Sequence, residues 1–290
     1  MNTTSLICAG VNSKFMSYNP LNKYLCSHWL TVKVVILAGG LGTRLSEETV
    51  VKPKPMVEIG PEPILWHIMK LYDFYGFKDF IICAGYKQNI IKDYFAKYAF
   101  NHGDIEVLTK SQDVRVITPP KEDWEVTVVD TGLNTMTGGR IKRIEKYLGS
   151  DDDFIITYGD GLTNINIREL LGYHKMHSPI LTLTAVQPPG RFGSILIDQS
   201  NRIIKFTEKP LGDGQWINAG FYVSSREIFD FLEGDETVLE GSPLERISET
   251  GKMFAFIHRG FWKPMDTLTD KKKLEDMWNS GSAPWKIWRD

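Results

Sequence analysis

From residue 32 the chain alternates short β-branched apolar runs with longer segments of helical apolar spacing. VKVVIL (32–37) is a nearly unbroken apolar run that ends at Ala-Gly-Gly, the signature of a strand buried on both faces of a parallel sheet. PILWHIMKLYDFYG (63–76) opens with Pro and stops at Gly, and its Ile64, Leu65, Ile68, Leu71 and Tyr72 recur at helical spacing. DFIICAG (79–85) runs from strand into turn, and NIIKDYFAKYA (89–99) is helical. VTVVD (126–130) and DFIITYGDG (153–161) are strands, IRELLGYHKMH (167–177) a helix and ILTLTAV (180–186) another strand. Repeated βα units with short connections predict an α/β, doubly wound, mostly parallel Rossmann-like sheet.

After about residue 190 the pattern changes. SILID, RIIKF, WINAGFYV and MFAFIH are short β segments between Gly-rich turns, and a last helix is expected over roughly 267–279. This predicts a small mixed or antiparallel β portion built onto the first half. The expected organisation is one domain over 32–290, with a nucleotide-binding lobe at about 32–190 and a sugar-binding lobe at about 190–290. Residues 1–31 have neither a basic start nor a sustained apolar core, so they do not read as a signal peptide. They read as a disordered or loosely docked extension, or as a mis-called start with initiation at Val32.

Composition narrows the classes. The 290 residues carry 34 Lys and Arg against 36 Asp and Glu, which gives no electrostatic reason to expect nucleic acid or an anionic membrane as partner. No apolar run approaches the ~20 residues that span a bilayer. Cys8, Cys26 and Cys83 form no paired framework, so a reducing cytoplasm is the expected compartment.

In open α/β sheets ligands bind beyond the carboxyl ends of the strands, and two stretches fall there. In the first, AGGLGTR (38–44), Gly39, Gly40 and Gly42 allow a tight turn and close approach of N–H groups to an anion. It lacks the Gly-Lys-Ser/Thr of a Walker loop and the third Gly of a dinucleotide fingerprint, which disfavours a Rossmann oxidoreductase. A glycine turn alone is weak. Arg44, a planar fork for phosphate, and Lys54, clamped between Pro53 and Pro55, strengthen it, whereas Lys52 reads as a surface residue. The second stretch, YGDG (158–161), places Asp160 where a carboxylate can hold a divalent ion against a phosphate; taken alone, Asp160 reads equally as a turn residue. Asp266 in FWKPMDT taken alone reads as the N-cap of the last helix. His174 and His177 have no ligand companions and read as surface histidines, Trp278, Trp285 and Trp288 as packing or interface residues, and Cys83 as inert.

GGLGTRL with KPKP downstream, then YGDG, EKP, INAGF and MDT, resembles the sugar-1-phosphate nucleotidylyltransferases. SEETVVKPKPM, PILWHIMK, VDTG, MTGGR, PPGRFG and GFWKPMDT together resemble the glucose-1-phosphate cytidylyltransferase branch of that family, from about residue 33 to the end. Pro61-Glu62, where a Gly-Lys-like turn is expected, is a departure in a surface loop. The resemblance implies transfer of a cytidylyl group from CTP to α-D-glucose 1-phosphate, giving CDP-glucose and pyrophosphate, with Mg²⁺ and in a homo-oligomer. The product would feed dideoxyhexose synthesis for a lipopolysaccharide O-antigen.

The resemblance also implies roles. Leu37, Ala38, Gly39, Gly40, Leu41, Gly42, Thr43 and Arg44 would hold the nucleotide. Arg44 would stabilise the departing pyrophosphate and Lys54 the α-phosphate. Asp160 and Asp266 would hold the metal, and Thr135 and Arg140 would read the base. Gly193, Glu208, Lys209 and Asn218 would bind the sugar phosphate. For Arg140 the competing reading is a basic helix face with Lys142 and Arg143. The same chemistry with UTP or dTTP, a mannose 1-phosphate enzyme, and a non-catalytic nucleotide-sugar sensor remain as alternatives; the presence of Arg44, Lys54, Asp160 and Asp266 together counts against the sensor.

Overall fold

The computed structural model describes residues 32–188, 194–208 and 215–289; residues 1–31, Gly193 and Lys209 lie outside them. Among the described residues, fifteen strands and eight α-helices follow one another along the chain. The first half holds β1 (Val34–Ala38), α1 (Ser46–Thr49), β2 (Glu58–Ile59), β3 (Glu62–Pro63), α2 (Ile64–Phe74), β4 (Asp79–Ala84), α3 (Gln88–Ala96), α4 (Tyr98–His102), β5 (Asp104–Leu108), β6 (Asp113–Thr118), β7 (Glu125–Asp130) and α5 (Thr137–Ile144). The second holds β8 (Asp153–Tyr158), β9 (Gly161–Thr163), α6 (Ile167–His177), β10 (Leu181–Val186), β11 (Ser194–Ile197), β12 (Ile203–Thr207), β13 (Ile217–Ser225), α7 (Ser242–Glu249), β14 (Met253–Ile257), β15 (Trp262–Pro264) and α8 (Leu268–Asn279).

Seven strands form the central sheet in the order β14-β10-β13-β8-β1-β4-β7, and only β13 runs antiparallel to its neighbours. The apolar runs are unbroken because both faces are covered. Val34, Ile36 and Ala38 of β1 join one core, with Ile64, Leu65 and Ile68 of α2. Val35 and Leu37 join the other, with Ile141 and Ile144 of α5. The β portion expected after residue 190 divides between two places. WINAGFYV becomes β13, inserted between β8 and β10, and MFAFIH becomes the sheet edge β14, while β11 and β12 form a separate hairpin. β1 lies between β4 and β8, so the chain turns in opposite directions on its two sides and a crevice opens beyond its carboxyl end.

The C-terminal segment is fastened to α2. His67 is fully buried among Trp66, Trp278, Trp285 and Trp288. Its Nε2–H donates to the Ile59 carbonyl at 2.9 Å, and its Nδ1 accepts from Trp285 Nε1 at 3.4 Å. These partners fit the neutral ring, and burial pulls its pKa from 6.5 to about 4. The unfolded chain therefore binds the proton more readily. Stability is complete above pH 6.5 and falls on acidification toward pH 4, by up to ~3 kcal/mol from this residue. Urea titrations of the native protein and His67→Gln at pH 7 and pH 4.5 should show a smaller acid loss in the variant; equal losses would exclude His67 as the source.

His174 corrects the expectation of a surface histidine. It is 1% exposed, with Nδ1 at 2.9 Å from Thr182 Oγ1 and Nε2 at 3.5 Å from Asp153. Its partners come from β10 and β8, which no local pattern reveals. Cys83 is buried and its thiol is pushed up to about 12, consistent with an inert core residue.

Candidate active site

The glycine loop leaves β1 at Ala38. Gly42 has φ +65°, and a Cβ there would crowd Thr49 Cγ2 at 2.8 Å, so both conformation and space call for glycine. The Gly42 carbonyl accepts from Leu45 N–H at 3.0 Å and Thr49 Oγ1 at 3.1 Å. That turn puts Arg44 on a short 3-10 segment, Thr43–Leu45, with its side chain 74% exposed to the crevice. The Pro53-Lys54-Pro55 clamp forms a second 3-10 turn, closed by Met56 N–H to the Pro53 carbonyl at 2.8 Å. Lys54 is consequently buried, with its amine turned to carboxylates.

Asp160 follows β8, and Gly159 N–H donates to the Leu37 carbonyl at 3.0 Å, which ties this turn to β1. Asp266 reaches the same place through a two-stranded ribbon. β9 pairs antiparallel with β15, with Gly161 opposite Pro264, and Met265 N–H donates to the Asp160 carbonyl at 2.9 Å. The N-cap of α8 is Thr267, in a capping box with Asp270, so Asp266 is not the cap it resembles in isolation. Thr267→Ala should cost about 1 kcal/mol in chemical denaturation and loosen the support of Asp266; a change below ~0.3 kcal/mol would remove the box as a contributor.

The four charged residues converge. Lys54 Nζ lies 2.5 Å from Asp160 Oδ2 and 2.8 Å from Asp266 Oδ1, and Arg44 Nη1 lies 2.9 Å from Asp266 Oδ2. Among the described residues no group of three or more His, Cys, Asp or Glu side chains could enclose a metal ion. Two hard carboxylates already gathered around one cation suit an ion that takes its remaining ligands from substrate phosphates and water, which is how Mg²⁺ is commonly held.

Thr135 and Arg140 stand on the other side of the glycine loop. Arg140 is 4% exposed, and its guanidinium faces inward. Nη1 donates to Thr131 Oγ1 at 2.7 Å and the Gly132 carbonyl at 2.8 Å; Nη2 donates to the Gly39 carbonyl at 3.0 Å and the Leu133 carbonyl at 3.2 Å. Side chains at Gly39 or Gly85 would collide with it. The competing reading of a basic helix face does not describe this placement: the guanidinium lies in a slot whose walls accept its donors. Lys142 and Arg143 do point outward, Arg143 forming a fork with Asp235 at 2.8 and 2.5 Å. Thr135 is buried beside the same slot, with its Oγ1 facing Gly132.

Asn218 is exposed at the start of β13. Its Nδ2 donates to Tyr222 OH at 2.5 Å and its Oδ1 accepts from Gly220 N–H at 2.9 Å. Glu208 is exposed just after β12. Gly85, Thr131 and Gly132 line the slot; Thr131 and Gly132 belong to the VDTG motif, which carries no residue role in the sequence reading, and Gly85 ends DFIICAG. Gly85 and Thr131 each directly follow a sheet strand, and that position was the available signal.

A doubly wound sheet carrying a glycine loop, two cations and two carboxylates gathered at its switch point is the arrangement of a nucleotide-dependent transferase. The chain matches the nucleotidyl transferase family over residues 33–278 and belongs to it. It is 52% identical to a Salmonella typhi protein named glucose-1-phosphate cytidylyltransferase, over 89% of this chain and the whole of that one. It is 40% identical to a Bacillus subtilis protein named probable glucose-1-phosphate cytidylyltransferase, with the same coverages. Among solved structures it superposes on HddC from Yersinia pseudotuberculosis with a TM-score of 0.62 at 26% identity, covering 85% of this chain and 99% of that one.

Proposed function

We propose that this chain transfers a cytidylyl group from CTP to α-D-glucose 1-phosphate, releasing pyrophosphate and forming CDP-glucose. The observation that carries the reading is the convergence of Lys54, Arg44, Asp160 and Asp266 beside the glycine loop, in a chain that spans the full length of relatives bearing that activity in their names.

The attacking group is a phosphate oxygen already ionised at neutral pH, so no general base is required. The obstacle is repulsion between a sugar phosphate and a triphosphate. Catalysis is then positioning and charge stabilisation of an in-line displacement. Residues 37–44 present backbone N–H groups to the nucleotide. Arg44 neutralises the departing pyrophosphate, and Lys54 meets the α-phosphate as charge builds. Asp160 and Asp266 would hold a divalent ion, Mg²⁺ in this reading, which when bound supplies further charge neutralisation between the phosphates. Gly193, Glu208, Lys209 and Asn218 complete the sugar side.

The base reading rests on Arg140 with Thr135. Cytosine presents adjacent O2 and N3 acceptors where uracil and thymine carry an N3–H donor. A guanidinium has donors only, so it matches the first and opposes the second. The slot between Gly39, Gly85 and Gly132 already holds that guanidinium, and binding exchanges part of its carbonyl contacts for the base.

The exposed hairpins β5–β6 and β11–β12, with Val107, Ile117, Ile204 and Phe206 at their surfaces, favour a homo-oligomer; light scattering that gives the monomer mass at micromolar concentration would sink that part. Pyrophosphate release with glucose 1-phosphate, measured in turn with CTP, UTP, dTTP, ATP and GTP, tests the main reading. Release with CTP, abolished by a chelator, is expected. A preference for UTP or dTTP would overturn the base assignment and keep the chemistry. No release with any nucleotide would leave a nucleotide-sugar sensor.

A further inference from the structure

Lys54 stands where a metal ion would meet both carboxylates. One ammonium bridges Asp160 Oδ2 and Asp266 Oδ1, and Arg44 takes the remaining Asp266 oxygen, Oδ2. Two acids and two bases therefore form a locally neutral quartet, linked in the order Asp160–Lys54–Asp266–Arg44. Lys54 is held there by its surroundings: it is 8% exposed and fixed at its backbone by the flanking prolines. The carboxylates are fixed relative to each other by the β9–β15 ribbon, so their spacing does not depend on the amine.

From this we infer that Lys54 is a resident counter-ion that keeps divalent metal out of the nucleotide-free site, so that metal binding is conditional on the arrival of nucleotide phosphate. The inference rests on the proposed nucleotide-dependent chemistry and adds an order to it. A free divalent ion approaching the quartet meets Asp160 and Asp266 already neutralised, with two cations within reach to repel it. A triphosphate changes the balance. Its oxygens offer Lys54 and Arg44 new partners, and the flexible lysine stem can swing to them without moving the proline-clamped backbone. Asp160 Oδ2 and Asp266 Oδ1 are then released together to face an ion that the phosphates also ligate. Metal and nucleotide thereby strengthen each other's binding, and the coupling is reciprocal. The carboxylates are never left bare, and an ion without nucleotide is not retained.

The test uses the full chain without nucleotide. Mn²⁺ is titrated and its free signal followed by electron paramagnetic resonance, in the native protein and in Lys54→Met, Lys54→Arg and Lys54→Met/Asp160→Asn. The expected result is Mn²⁺ binding at least about tenfold tighter in Lys54→Met than in the native protein, corresponding to ~1.4 kcal/mol. Lys54→Arg, which keeps the charge, should stay weak, and the double variant should lose the gain. Equal affinity in the native protein and Lys54→Met overturns the inference. Should Lys54→Met fail to fold, native nucleotide-free crystals soaked in Mn²⁺ decide: an anomalous peak between Asp160 and Asp266 overturns it, and none there supports it. These readouts need no turnover and no choice of base. A metal-excluding lysine in a protein that releases no pyrophosphate would count against the proposed function alone.

Discussion

Lys54→Met should lower the rate of pyrophosphate release at saturating substrates about 10³-fold, corresponding to ~4 kcal/mol of transition-state stabilisation. The side chain keeps its length and loses its charge. In the native protein the amine sits 2.5 and 2.8 Å from two carboxylates that converge on the reaction centre. In the proposed mechanism that amine answers the negative charge that develops on the α-phosphoryl oxygens once phosphate arrives. KM for either substrate should move less than about tenfold, because the glycine loop and Arg44 still provide ground-state contacts. Loss of Lys54 also leaves Asp160 without its ammonium partner and Asp266 with Arg44 alone, so a modest fall in thermal midpoint is expected alongside. The two effects separate cleanly. If activity fell only in proportion to folded protein, with kcat per folded molecule near native, Lys54 would be a structural counter-ion and its catalytic role would be lost. A variant with near-native stability and a thousandfold lower kcat places the charge in the transition state.

Much of this site can be read along the chain, but its assembly cannot. The strand–glycine turn at 34–42, the proline clamp around Lys54 and the 167–177 helix each follow from local spacing, because backbone chemistry and short-range apolar patterning decide them. The meeting of Asp160 with Lys54 and Asp266 depends on the β9–β15 ribbon, two strands of three residues too short to leave a pattern. β13 gives a second example. Its sequence reads as part of an outlying β portion, yet its burial on both faces draws it between β8 and β10. Hairpin β5–β6 is legible in retrospect: Ile105 and Val107 alternate with polar residues and pair with Val116 and Val114, on a face that is exposed rather than packed into the core. In TGGRIKRI the helical spacing of Arg140 with Ile144 was available as a sign that Arg140 faces inward. What it could not show were its acceptors: the Gly39 carbonyl from the distant glycine loop, and Thr131 Oγ1 with the Gly132 and Leu133 carbonyls from the turn after β7.

Arg140→Met should destabilise the protein by about 3–5 kcal/mol, because it strands a set of buried acceptors rather than breaking one contact. Arg140 is a buried cation whose close contacts are dipoles: the carbonyls of Gly39, Gly132 and Leu133, and Thr131 Oγ1. Gly39 and Gly85 leave the space for its head group, so Met would fill the stem volume and satisfy none of the acceptors. The Gly39 carbonyl would retain Tyr86 N–H at 3.1 Å, while the Gly132 carbonyl would lose its Nη1 donor. Arg140→Lys should fall between, since a single ammonium cannot span acceptors on both sides of the slot. The same carbonyls shape the end of β1 and the start of the glycine loop. Lost stability should therefore come with weaker nucleotide binding and a narrower preference for CTP over UTP at matched folded concentration. Urea denaturation monitored by tryptophan fluorescence measures the first effect and competition between CTP and UTP the second. A cost below ~1 kcal/mol would mean that the carbonyls find water in its place, and Arg140 would then be a base-reading residue that merely rests in the slot. A large cost with the CTP preference intact would make it a structural strut and return the choice of base to Thr135 and the surrounding backbone.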